Sequence, residues 1–231
     1  AQTHSSGGVF ISEANDVALG TVANLAGIRS AGDITLVAGG AVTQATASPS
    51  LTGAHIRLEA GSGVGTRGAP VGTTTTTLAA KTTASGGVFV VESASGGALT
   101  IGTVDGLAGV STAMNGPVDI RTTDGSLIVS RGVPASGNGS VRLMAGGADS
   151  DLTVAAPIGS GTGNLDLASG RHLRLQGAAA DLTTGGGGTI TAVATGGALS
   201  MTEGTTIQTA SGNIALTSSG CVLAACSGVR S

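Results

Sequence analysis

The stretch Gly139–Gly177 reads "GSVRLMAGGADSDLTVAAPIGSGTGNLDLASGRHLRLQG". Two apolar residues at i and i+2, Val141 and Leu143, are followed by a second such pair, Leu152 and Val154, and by the lone Ile158. The pattern then restarts with Leu165 and Leu167 and repeats its second pair at Leu173 and Leu175. Alternation with a period of two marks strands with one buried face. Gly, Ser, Asn and Asp fill the gaps between pairs, and these residues favour turns, with Gly supplying positive φ at no steric cost.

Working outward, the leading pair recurs at Val9/Ile11, Ile34/Leu36, Ile56/Leu58, Val88/Val90, Val118/Ile120, Ile190/Ala192 and Ile214/Leu216. The last five starts lie 23, 24, 25 and 24 residues apart, and the earlier gaps are 25, 22, 32 and 30. The two longer gaps hold extra residues, read as loop, such as "TRGAPVGTTTTT" (66–77). A second pair follows at Val17/Leu19, Leu99/Ile101, Leu127/Val129 and Leu199/Met201, and a lone apolar residue at Leu25, Leu107, Val133, Leu182 and Ile207. Three short strands in each unit of about 24 residues predict a single-stranded, right-handed parallel β-helix (β-solenoid). The whole chain, 1–231, forms one domain of about nine rungs, a rod about 40–45 Å long at ~4.8 Å per rung. A left-handed hexapeptide helix would need about 18 residues per rung. A β-sandwich, the other fold with many short strands, has no reason to hold one apolar pair in register at this period.

A longer repeat overlies the short one. "GGVFISEANDVALGTVANLAGI" (7–28) returns as "GGVFVVESASGGALTIGTVDGLAGV" (86–110), and the match extends from 7–34 to 86–118. Phe10 and Phe89, the only aromatic residues, hold the same place in the two copies. Residues that follow the first inward position point outward, so Asp119, Arg142 and Asp166 should stack with alternating charge. Phe10 and Phe89 should also point outward, which makes them the candidate assembly contacts.

Composition narrows the function classes. Hydrophobic residues make up 40% and charged residues 10%, too apolar for a disordered chain. A net charge of −3 supplies no basic patch for nucleic acid. No apolar run reaches the roughly 18 residues that a membrane helix needs. The chain starts at Ala1 without Met, as after removal of a signal peptide or in a piece of a longer protein. Cys221 and Cys226 are five residues apart, a disulfide candidate in an oxidising compartment or two small apolar side chains. Asp149 and Asp151 form the densest acidic pair and the weak calcium candidate, resembling one turn of a Gly-Asp repeat. His4, His55 and His172 share no setting, Asn138-Gly139-Ser140 is a lone sequon, and the threonine run 73–77 does not recur from rung to rung as an ice-binding array would. No catalytic constellation is present, and no cofactor is expected.

The stretches 31–44, 55–92 and 98–110 resemble the repeats of filamentous-haemagglutinin-like giant bacterial surface proteins, the β-strand-repeat adhesins. The resemblance covers most of residues 5–130 and is looser from 131 to 220. It implies export and a right-handed β-helical stalk, and it carries no catalytic residue. The expected role is an extracellular structural subunit, secreted or at the cell surface, that stacks head to tail with itself into a filament. Cell surface or extracellular matrix would be its further partners. The alternatives are a stalk segment of a large secreted adhesin and a carbohydrate-binding or polysaccharide-cleaving β-helix.

Overall fold

The computed structural model describes residues 2, 7–45, 51–224 and 228–230, and among these every regular element is a strand. The strands wind into a parallel β-solenoid of about nine turns with a spacing near 24 residues, as the apolar period predicts. Sheet I runs through Val9–Glu13, Ile34–Ala38, His55–Ala60, Thr77–Thr82, Leu99–Ile101, Leu127–Val129, Leu152–Val154, Leu173–Leu175, Leu199–Met201 and Val222–Ala224. Sheet II runs through Val17–Leu19, Ala41–Gln44, Gly63–Val64, Val88–Glu92, Val118–Thr122, Val141–Ala145, Leu165–Ser169, Ile190–Ala194 and Ile214–Ser218. Sheet III stacks Val133–Ala135, Ile158–Ser160, Leu182–Thr184, Thr206–Thr209 and Gly228–Arg230. Inward residues form aliphatic ladders: Val118, Val141, Leu165, Ile190 and Ile214 are consecutive partners, and the first four are at most 1% exposed. Burying one such side chain contributes about 1.5–3 kcal/mol, so the core needs no aromatic residue.

The module long strand, short strand, third strand changes phase part-way along the rod. In the first three turns the long strand lies in sheet I and the short one in sheet II. Thr77–Thr82 continues sheet I on top of His55–Ala60, with Leu78 on Ile56. The next strand, Val88–Glu92, is also long but lies in sheet II. Its N-terminal end stacks on the short strand Gly63–Val64 and its C-terminal part on Val71–Thr74. Conversely, Leu99–Ile101 and Val110–Ser111 share the top of Thr77–Thr82. From there on the long strand belongs to sheet II. A rung can therefore receive one long strand where the rung below offers a short strand and a third strand, and the reverse.

This switch corrects three sequence readings. The stretch 66–77 is not merely loop, because it contains Val71–Thr74 and the start of Thr77–Thr82. The leading pairs at Val9, Ile34 and Ile56 do not form one ladder with those from Val88 onward, since they lie in sheet I and the later ones in sheet II. The two copies of the long repeat thus share a local structure but sit in different sheets. Leu25 and Leu107 were expected in third strands; instead they belong to antiparallel hairpins. The first hairpin pairs Thr21–Val22 with Leu25–Ala26, and the second pairs Thr103–Val104 with Leu107–Ala108. Both tips, Ala23-Asn24 and Asp105-Gly106, have positive φ at both residues, the type I′ signature. The third strands are Ile28–Arg29 and Val110–Ser111.

Corners are held by glycine backbones. Gly116, Gly139, Gly163, Gly188 and Gly212 follow one another from rung to rung. A Cβ on any of them would run into the carbonyl oxygen of the corner below. Hydroxyl groups cap several of these carbonyls: Thr112 to Gly116, Thr184 to Gly188 and Thr209 to Gly212 within one rung, and Ser160 to Gly139 from the rung above. The threonine run serves a corner too. Thr73 and Thr75 are buried, and the Thr73 hydroxyl and the Thr75 amide both donate to Oε2 of the buried Glu92, at 2.7 and 3.0 Å. Desolvation raises the Glu92 carboxyl above its ordinary range, and the hydrogen bonds from Ala94, Thr73 and Thr75 oppose that shift.

Candidate functional site

The outward face of sheet II carries a polar groove. Consecutive outward residues are Phe89, Asp119, Arg142, Asp166 and Thr191, each directly above the last, which confirms the expected register. Asp119 points outward yet is only 4% exposed. Arg121 Nε lies 3.1 Å from its Oδ1 and Arg142 Nη1 lies 4.0 Å from its Oδ2. The neighbouring rungs and the exposed Arg67 complete a groove of about 420 Å³ whose lining includes Phe89, Asn164 and Asp166. Charge alternates along the outward column, and the partly buried Phe89 ring forms the apolar end of the groove. No His or Cys lines the groove.

Phe10 lies elsewhere. It projects from sheet I and is 69% exposed, opposite Thr35 in the strand above. The two phenylalanines therefore do not form one contact surface within a molecule.

At Asp151, two guanidinium groups converge. Arg171 donates from Nε to Oδ1 at 2.8 Å and from Nη2 to Oδ2 at 3.0 Å, Arg174 donates to Oδ2 at 2.5 Å, and the His172 amide donates to Oδ1 at 3.1 Å. Both oxygens of this calcium candidate accept hydrogen bonds from the protein, while Asp149 is exposed on the adjacent turn. The Arg171 hydrogen bonds hold the Asp151 carboxyl well below the usual carboxylate range. Because its folded-state pKa is lowered, the clamp's stabilisation is complete above the unfolded value of 3.8 and is lost as pH falls through the folded one. Asp151→Asn is expected to cost about 1–2 kcal/mol at pH 7, discounted for the partly exposed arginines. The wild-type advantage should shrink in thermal melts below pH 3.8.

Cys221 is exposed, and Cys226 lies outside the described residues, as does His4. His55 Nδ1 is 2.7 Å from Asp33 Oδ1, and His172 Nδ1 accepts from the Ala198 amide at 3.0 Å. Asn138 of the sequon is exposed.

Sequence reasoning passed over the hairpins. The second hairpin folds back over the outward face of sheet I, touching Thr77–Thr82 and His55–Ala60. Its tip accepts from Thr35 Oγ1 at Asp105 Oδ2 (3.1 Å) and from Arg57 Nη1 at the Asp105 carbonyl (2.6 Å). The Asp-Gly between Val104 and Leu107 was the available signal. No protein-family model, curated protein or solved structure matches this chain.

Proposed function

We propose that this chain is an exported structural solenoid that stacks end to end with copies of itself into a fibre at the cell surface. The observation that carries this reading is the state of the first turn. Val9–Glu13 opens sheet I and Val17–Leu19 opens sheet II, each paired with a neighbouring strand on one side only among the described strands. An uncovered parallel edge is a template for further strands. A head-to-tail contact that does not close into a ring grows a filament. The phase switch supports the reading, because it shows that long strands and split strands stack on one another in this fold. A stalk segment of a larger secreted adhesin would use the same edges within one polypeptide.

Negative-stain electron microscopy of the purified chain should show unbranched fibres. Their axial repeat should be about 45 Å, from roughly nine rungs at ~4.8 Å each. A chain that remains monomeric by sedimentation at high concentration overturns the stacking reading.

A further inference from the structure

The two copies of the long repeat differ in what lies beneath them, and three equivalent pairs record the difference. Val104 is 3% exposed, and its counterpart Val22 is 78% exposed. Glu92 is 2% exposed and held by Thr73 and Thr75 of the turn below, whereas its counterpart Glu13 is exposed. Phe89 is partly buried and Phe10 is 69% exposed. The second hairpin covers Ala79, which is fully buried, and pins its acidic tip to Arg57. The first hairpin has the same pairing and the same turn, with no described strand beneath it.

We propose that the first hairpin is a clasp for the C-terminal turns of a second copy of this chain, so the inference rests on the stacking reading above. Because the first repeat copy is rotated into the other sheet, its hairpin overhangs the continuation of sheet II rather than sheet I. The last long strands of sheet II are Ile190–Ala194 and Ile214–Ser218. Their outward residues include Thr191, Ala215 and Thr217, all small and uncharged, with Ala215 and Thr217 exposed. Ala215, between the inward Ile214 and Leu216, resembles Ala79 in the seat of the second hairpin. Tip and seat have changed together. The acidic tip Asp105-Gly106 meets Arg57 and Thr35, whose places in the register set by Ala215 are taken by Thr191 and Asp166, while the corresponding tip Ala23-Asn24 carries no charge. An aspartate at Ala23, as at Asp105, would face Asp166 with no cation in the place of Arg57, so the loss of the tip charge argues for this chain's own C-terminal face as the occupant.

The test compares the full chain with Val22→Asp and Ala215→Arg by sedimentation velocity and electron microscopy. Each variant should keep the wild-type far-ultraviolet spectrum, since both positions are exposed. Each should raise the concentration for half-assembly by about ten-fold or more, the loss expected for burying a charge in place of one valine-sized contact. Wild-type-like assembly by both variants, with wild-type fibres present, overturns the clasp and leaves stacking standing. Loss of assembly in Val22→Asp alone places the hairpin on another surface and overturns Ala215 as its seat. A wild-type chain that never assembles overturns the clasp between copies together with the stacking reading, leaving the turns of a longer polypeptide as the occupant.

Discussion

Replacing Gly163 with alanine is expected to destabilise the solenoid by about 3 kcal/mol or more, although it adds only one methyl group. The added Cβ would lie 2.5 Å from the Gly139 carbonyl oxygen and 2.6 Å from that of Asn138. Both atoms are backbone and belong to the rung below, so neither can swing aside as a flexible side chain would. Relief requires the two rungs to separate at that corner. Separation would also break the Ser160 hydroxyl bridge, which accepts from the Gly163 amide at 2.8 Å and donates to the Gly139 carbonyl at 2.8 Å. Gly68→Ala is the matched control. No atom lies within 4 Å of its added Cβ and its φ is not in the left-handed region, so its effect should stay within about 0.5 kcal/mol. Chemical denaturation of the two variants beside the wild type checks the pair. Equal midpoints would show that the corner has slack that the stacked glycines do not suggest.

The same corners explain how much could be read in advance. The inward pairs were legible because Ile, Leu and Val alternate with small or polar residues at a fixed period, and each pair has one steric solution on a half-buried strand. The register of Asp119, Arg142 and Asp166 followed from counting alone. The phase switch was not legible. In Thr77–Thr82 the inward residues after Leu78 are Ala80 and Thr82, too small and too polar to mark a ladder, so the strand read as loop. The burial of Asp119 and Glu92 was hidden for another reason. Each depends on residues of neighbouring rungs, Arg142 for one and Thr73 and Thr75 for the other, and those neighbours are fixed only once the register is known. The hairpins were missed because Leu25 and Leu107 fall at the spacing of a third-strand residue, and only the second hairpin has an Asp-Gly tip.

Leu143→Ala is the second large effect, and its reach along the rod matters more than its size. Leu143 is fully buried, stacked between Ile120 below and Leu167 above. Truncation removes both contacts and leaves a cavity, at a cost of about 2–5 kcal/mol. In a solenoid the stability of each turn depends on its two neighbours, so a central defect weakens the coupling between the turns on either side. Amide hydrogen exchange should therefore show faster exchange both in Val118–Thr122 and in Leu165–Ser169, with an unfolding transition that divides into two steps. Leu216→Ala lies in the last long strand of sheet II and is only partly buried. It should cost less and should speed exchange only in Ile190–Ala194 and Ile214–Ser218. If the chain instead unfolded in one step in both variants, the turns would be coupled over the full length of the rod. A clasp at the first turn would then transmit its stabilisation to the last, and fibre formation should raise the melting temperature of every turn rather than that of the joined ends alone.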